Sequence, residues 1–572
     1  MPFSRKASRR ARLLTLVTAV TLATAGATAS AVPAVAATPA SAVHAGHVTY
    51  VGSSTASAVP AAKGAVAHRY TLPVLGRHGA RPAAQARTAT GSLPHVASSP
   101  RVASSPVRAF DGVNAIDNRA ASGFDLEPPD EGLAAGNGYV VNFVNVTGLI
   151  QSTSGTRLVR PFYLNTFFRE TAAAHTSDPR VFYDASSHRW FATILEYQVD
   201  SNLFFTESHV DVATSRTSDP RGAWSVYKFD TTNRTHAGCP CLADYPILGI
   251  DASNVYVSTN EFTADSSTFN GAQLYAIAKS QLIAGSSSPR MVDYENLSSG
   301  GVLGYHVQPA NTYGSPGVEY LMSSLDPNGT YDNRIAVWAL TNPSAVARGG
   351  IPNLSARIVS SQAYAPPPNA RTPAGRCTGD ICAAGGEPTT GVVSANDDAM
   401  QEVQYINGQL VGALDTSVNV AGDAGARAGV AWFVVKPSVS GGVVSSATHV
   451  VRQGYIAQQG EYLLFPHINM TPNGAMAVVF GLGGPSTYMS AAYAAAAPGA
   501  GFGSVHLAGA GVAPDNGFVG TAPFGGVARW GDYSNGQIIP GTNTLWLATQ
   551  YIPNNGDGNE NWGNRILELN LG

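Results

Sequence analysis

DPRVFYDASSHRWFATILE, residues 178–196, decides the fold. It opens on an Asp-Pro turn, runs through Val, Phe and Tyr, breaks at a polar turn, and resumes as a second, more apolar run that closes on Glu196. Two short runs of aromatic and β-branched residues about a turn read as a β-hairpin. Hairpins of the same span recur at residues 244–261 (DYPILGIDASNVYVSTNE), 308–326, 398–415 and 532–550 (DYSNGQIIPGTNTLWLATQ). Such self-similarity marks an array of like units, each too small to be stable alone.

Working outward, further strand signals such as AQLYAIAK and NRIAVWAL follow the hairpins, so each unit of roughly 60 to 70 residues has room for four strands. Units start near residues 128, 178, 244, 306, 398, 466 and 532. The 61 Gly and 36 Pro suit short strands and many turns, and no helical period persists. The expected class is all-β, a β-propeller of four-stranded antiparallel blades. Seven blades are expected, or six if the first and last segments combine into one. A β-sandwich would not predict the constant hairpin length. The terminal RILELNL is expected to pair near the start of the domain, because closure removes exposed edges. Residues 350–395 and the Gly- and Ala-rich stretch 485–525 read as long loops.

Charge divides the chain. Residues 1–110 hold 12 of the 34 Lys and Arg and no acid, and Asp111 is the first carboxylate. The remaining 22 basic and 37 acidic residues give the rest of the chain a net charge near −15, which repels phosphate backbones. Nucleic acid is not an expected partner. MPFSRKASRRAR followed by LLTLVTAVTLATAGA and small-residue sites forms a three-part export signal, assigned to residues 1–38. Residues 8–13 partly match a twin-arginine signal, so both export routes are open. Residues 39–108 are rich in Ala, Ser and Pro and read as a disordered basic pro-segment or linker, leaving 109–572 as the folded domain. A secreted or cell-envelope monomer without stable membrane insertion is expected.

Four cysteines, Cys239, Cys241, Cys377 and Cys382, fit an oxidising compartment. Three pairings are possible. A local Cys377–Cys382 closure needs only a tight loop, whereas a Cys239–Cys241 closure looks strained, so cross-links between the two loops compete with it. A four-thiolate zinc site is the alternative.

The segments PPDEGLAAGNGYVVNFVN, DPRVFYD with RWFAT, DYPILGID, and RWGDYS resemble secreted bacterial proteins of the sialidase superfamily over residues 108–572. The resemblance implies a propeller. The chain lacks an Asp-box of the S-x-D-x-G-x-T-W kind, an Arg-Ile-Pro opening and a Tyr-Glu nucleophile, so the sialidase triad is not carried over.

In a propeller the two ends of each inner hairpin gather at one mouth. Asp130, Asp178, Asp244, Asp398 and Asp532 would ring it, with Glu196, Glu261, Asp326 and Asp415 at the far hairpin ends. Paired carboxylates there suit glycoside hydrolysis, one protonating the leaving oxygen and the other activating water or attacking the sugar. The catalytic candidates are Asp178, Glu196, Asp244, Glu261 and Asp532. Arg180, Tyr197, Tyr245, His306, His467, Arg529 and Trp530, with Tyr533, are candidates for binding a polysaccharide or glycoconjugate. The structural alternative is that these aspartates accept turn hydrogen bonds and tie blade to blade. A one-residue slip would also turn Glu196 into the sheet stack, or exchange Glu261 with Asn260.

No metal is expected at His306 or His467, which lack an HExxH-like spacing. Residues 326–332 and 555–561 place oxygen ligands at alternate positions, a faint calcium signal that Asn-Gly and Asp-Gly turns explain equally well. No nucleophile elbow, phosphate loop or dinucleotide fingerprint is present. A secreted glycoside hydrolase without a cofactor is the first reading, and a non-catalytic glycan- or protein-binding propeller is the second.

Overall fold

The Val-, Tyr-, Trp- and Ile-rich runs form strands that are bounded by the Gly- and Asp-bearing turns, as their β propensity dictates. The computed structural model describes residues 40–57, 70–71, 92–102, 106–171, 174–266, 268–325, 329, 331–377, 386–522, 525–553 and 561–572. The expected signal peptide therefore lies outside the described residues, as do Asp326, Cys382 and most of both calcium-like stretches.

Among the described residues, antiparallel pairing builds seven successive four-strand sheets. Their inner strands are Glu131–Gly136, His175–Asp184, Leu242–Ile250, Tyr305–Pro309, Gln404–Ile406, Tyr462–Met470 and Asn535–Ile538. The seventh sheet is completed from the other end of the domain: Gly563–Asn570 pairs with Arg108–Asn114, as expected for RILELNL. Inner strands contact those of the next sheet from the first to the fourth and from the fifth to the seventh, and that of the seventh contacts that of the first. Asn311–Thr312 pairs between the third and fifth sheets. The arrangement is all-β and consistent with a β-propeller.

Side-chain amides and carboxylates stitch this inner ring. Gln404 exchanges two hydrogen bonds with the Met470 backbone, and Gln537 does the same with Tyr183. Asp415 Oδ2 accepts from Phe465 N (2.8 Å), so this aspartate ties the fifth sheet to the sixth. The ring residues are buried, and each such bond satisfies a backbone group that water cannot reach.

Four inner strands share a device invisible in the hairpin pattern. Each carries a β-bulge, at 178–179, 245–246, 306–307 and 465–466. Asp178, Tyr245, His306 and Phe465 sit there at φ 45–58°, the left-handed region. A bulge bends its strand and re-aims the local side chain. Three of the candidates, Asp178, Tyr245 and His306, thus occupy positions where the pleat is broken.

Close packing of inner strands also requires glycine. A Cβ on Gly249 would come within 2.6–2.8 Å of Pro309, two of the three nearest atoms being backbone. Gly249→Ala is expected to destabilise the domain by about 1–3 kcal/mol through overpacking, read as a lower urea midpoint.

The N-terminal segment departs from expectation. Ala42–His47 adds to the outer edge of the third sheet and Thr49–Thr55 to that of the second, while Arg101–Val102 pairs with the sixth. The linker assignment for 39–108 is therefore corrected for residues 40–57 and 92–102. Composition pointed to disorder because little apolar area is on offer; the order comes from backbone pairing to a ready-made edge. Arg169 donates to Val51 O and Ser53 O, Arg216 donates to Ser53 Oγ, and only Ala40, Val48 and Ala56 of residues 40–57 are buried in core clusters.

Two expected loops are also partly strand. Asn353–Tyr364 is the outer strand of the fourth sheet and Thr487–Ala496 the third of the sixth. Cys239 is bonded to Cys241, with Cα atoms 4.3 Å apart, so the expected preference against this pairing is corrected. The turn around Pro240 brings the two sulfurs together without a longer loop. Cys377 is also oxidised. Among the described residues no helix is long and apolar enough to cross a membrane.

Candidate active site

Asp130 and Asp178 lie at one end of the first two inner strands, Asp244 near the start of the third, and Asp532 just ahead of the seventh. Contacts among the inner strands of the seventh, first, second and third sheets bring these four together. Asp532 N donates to Asp130 Oδ1 (2.8 Å), and Tyr245 Oη donates to the Asp532 carbonyl (3.0 Å). Arg529 holds both Asp532 oxygens at 2.8–2.9 Å, and Asn396 donates to one of them.

Their electrostatics are coupled. Burial, with Asp532 adding to it, raises Asp178 to about 6. Burial first, then Asp532 and Asp178, pushes Asp130 well above the carboxylate range, and burial with Asp178 and Asp532 does the same to Asp244. Like charges in one dry site cannot all ionise. Burial opposes the charge on Arg529, but Asp532, Asp130 and Asp244 outweigh it and hold the guanidinium above its ordinary value. The result is a crowd of carboxyl groups around one cation, three of them raised above the ordinary carboxylate range.

Beneath this set is a second polar group that the sequence reading missed. Glu402 joins Asn311 to Asn535 of the seventh sheet, accepting from Asn311 Nδ2 (2.7 Å) and Asn535 Nδ2 (2.9 Å), and lies 3.9 Å from Arg180. The Arg180 guanidinium stacks 3.4 Å from the centre of the Tyr533 ring. Both Glu131 oxygens are buried without a hydrogen-bond partner, and burial pushes this carboxyl well up despite Arg180. Glu131 follows directly on Asp130, and Glu402 lies two residues before Gln404, so attention to the whole inner strand would have found them.

Other candidates are placed elsewhere. Glu196 bonds His209 (3.0 Å) beside Lys228, and Glu261 bonds His236 (2.9 Å), Asn270 (2.6 Å) and Asn233. These two are corrected as partners of the aspartate cluster. They sit on second strands, opposite Thr176 and Ala243, and their side chains are engaged by groups of their own sheet regions. Asn260, not Glu261, reaches the next inner strand, accepting from His306 N.

The expected aromatic rim is corrected too. Trp530 is 1% exposed within a hydrophobic cluster, and Tyr197 is buried against His175 and Phe205. Tyr245 is a buried wall between His306 and Tyr533. His306 is buried at its bulge; His467 is bonded to Asn469 Oδ1, and burial lowers its imidazole pKa, which favours the neutral form. Asp398 is buried in the fifth unit, and Asp332, from the first calcium-like stretch, is paired with Arg334.

Removing the cation tests this electrostatic account. Arg529→Met strands Asp532 among buried acids, and is expected to cost about 3–5 kcal/mol at pH 7. Part of that loss is recovered at pH 5, where protonation relieves the repulsion; urea midpoints at the two pH values read it directly.

No protein-family model matches the chain, and no curated protein matches it. Solved structures match it in part. An exo-β-1,3-galactanase from Clostridium thermocellum is 11% identical over 68% of this chain and 78% of its own, with a TM-score of 0.27. An α-L-arabinanase from Penicillium chrysogenum is 11% identical over 69% and 93%, at 0.32. A Trypanosoma rangeli sialidase is 10% identical over 70% and 59%, at 0.32. Likenesses of this order say nothing about a substrate.

Proposed function

We propose that the protein is an exported, monomeric, seven-bladed β-propeller that hydrolyses glycosidic bonds of a polysaccharide or glycoconjugate at its aspartate cluster. The observation that carries this reading is the convergence of four carboxyl groups, Asp130, Asp178, Asp244 and Asp532, on Arg529, where burial and mutual repulsion raise Asp130, Asp178 and Asp244. Titratable pairs whose surroundings push them apart supply an acid and a base at one pH. Asp178, raised to about 6, retains a proton to give to a leaving oxygen. Asp532, paired with Arg529, is the carboxylate available to activate water or attack the sugar. Asp130 and Asp244 crowd the pair and sustain the raised value of Asp178. Arg180, backed by Glu402 and Tyr533, positions the channel side of the site.

A non-catalytic glycan- or protein-binding propeller is the second reading. It is favoured by the engagement of these acids with protein donors: Asp130 accepts from Asp532 N, and Asp178 accepts from Ser177 Oγ (2.7 Å). The two readings separate in one experiment. The secreted domain is assayed against a panel of polysaccharides and aryl glycosides, with glycan retention measured in parallel. Turnover abolished by Asp178→Asn supports hydrolysis; retention without turnover across the panel supports binding alone.

A further inference from the structure

We propose that His236, Cys239, Cys241 and Glu261 form a zinc site that is closed while the Cys239–Cys241 disulfide stands and opens when that bond is reduced. The four residues meet where the loop after Ala223–Asp230 enters the third sheet, apart from the proposed chemistry. One donor atom each from His236, Cys239 and Glu261 lies within 4.8 Å of the other two. His236 Nδ1 is 2.9 Å from Glu261 Oε1, and Cys239 Sγ is 3.6 Å from the same oxygen. Asn270 Nδ2 stands 3.8 and 3.9 Å from the two sulfurs and 2.6 Å from Glu261, so one amide neighbours both sulfurs and the carboxylate.

Tetrahedral zinc with bonds of about 2.0–2.3 Å sets its donors roughly 3.3–3.8 Å apart. The Cys239 sulfur and Glu261 oxygen, 3.6 Å apart, are at that spacing already, the imidazole nitrogen lies within 4.8 Å of both, and the two sulfurs must separate. A second shell is also in place. His236 Nε2 lies 3.0 Å from Glu295 Oε2, which accepts the Nε2 proton, so that Nδ1 becomes a metal donor once it gives up the proton it shares with Glu261. A carboxylate behind a metal-binding imidazole fixes the tautomer in this way. Glu295 is in turn approached by His44, from the N-terminal edge strand.

A disulfide sulfur carries no thiolate charge, so the oxidised loop offers zinc two donors at most. Reduction by a dithiol breaks the S–S bond: the reductant becomes a disulfide, and Cys239 and Cys241 each gain a proton. Binding of Zn²⁺ then releases both thiol protons and the His236 Nδ1 proton to solvent, and forms two Zn–S bonds beside Zn–N and Zn–O bonds. Two thiolates, one imidazole and one carboxylate make a closed four-donor set of the kind that suits zinc.

The test uses the full chain with Cys377→Ser and Cys382→Ser, so that only one disulfide can open. It is reduced with a phosphine, which takes up the oxygen of water as phosphine oxide, and titrated with Co²⁺ as the probe and then Zn²⁺ as competitor. One Co²⁺ per chain with thiolate-to-metal charge transfer, appearing only after reduction and displaced by Zn²⁺, is expected. Glu295→Gln, which touches no donor atom, is expected to weaken binding about 10- to 100-fold, and His236→Ala to weaken it further. Circular dichroism of each reduced variant confirms that it is folded. Absence of the charge-transfer band in folded reduced protein, equal binding by the oxidised protein, or a band indifferent to His236→Ala would each overturn the proposal. None of these outcomes depends on whether the aspartate cluster is catalytic.

Discussion

Asp178→Asn is expected to lower glycoside turnover by about a hundred- to ten-thousand-fold, the range by which a positioned acid or base accelerates proton transfer. The amide keeps the shape of the side chain and its contact with Ser177, but has no carboxylic proton to give. Binding is expected to survive, so the loss falls on kcat more than on KM. The wild-type pH profile carries the same signature: with Asp178 at about 6, activity falls as pH rises through that value and the acid deprotonates. A profile flat from pH 5 to 8, or full activity in Asp178→Asn, would remove this residue from the chemistry.

The shift is also a statement about stability. A carboxyl whose folded value lies above its unfolded value holds a proton more tightly in the folded state. Its contribution is complete below about pH 4, the unfolded value, and is lost as pH rises through about 6. The wild type is therefore expected to lose stability between pH 4 and 6 on this account, and Asp178→Asn to lose less over the same interval.

A chain that begins at Ala115 is expected not to fold cooperatively. It lacks Arg108–Asn114, the outer strand of the seventh sheet, and with it the ladder to Gly563–Asn570 and the packing of Phe110 on Trp546. The unpaired edge exposes a row of backbone groups that the full chain satisfies, and the loss is comparable with the whole stability of a domain, about 5–15 kcal/mol. A chain that begins at Arg101 keeps this strand and loses the added strands at 42–47, 49–55, 70–71 and 95–96. It is expected to fold with a lower melting temperature. Circular dichroism melts of the two truncations make the comparison; two identical, fully folded melts would show that the closing strand is dispensable.

Much of the architecture was legible because a hairpin is local. Residues 178–196 show both strands and the turn in nineteen positions, and the register of Val181 with Ala192 and of Tyr183 with Trp190 follows from the turn alone. The pairing of RILELNL with the domain's first strand was legible for a topological reason, since an open edge would otherwise remain. The outer strand Asn353–Tyr364 and the strand Thr487–Ala496 were not, because Ser-, Ala- and Gln-rich runs lack a β pattern and are held by the neighbouring strand. Residues 42–55 misled in the same way: their order is borrowed from the second and third sheets.

The candidate site divides along the same line. That Asp130, Asp178, Asp244 and Asp532 recur at the openings of like units is written in the sequence, and a repeat that packs about an axis must bring equivalent positions together. Which neighbours would share their field was not. Glu196 and Glu261 stand at equally regular positions, yet side chains alternate across a strand and these two are engaged away from the aspartates. The repeat determined by itself that sheets of one kind would follow one another and carry their acids to one end. Only the tertiary structure decided, through contacts among the inner strands and the depth of burial, that Arg529 would sit among them, that Glu402 would join Asn311 to Asn535, and that one aspartate would titrate near neutrality. Protonation is set by the groups within a few ångströms in space, and those come from sheets hundreds of residues apart in the chain.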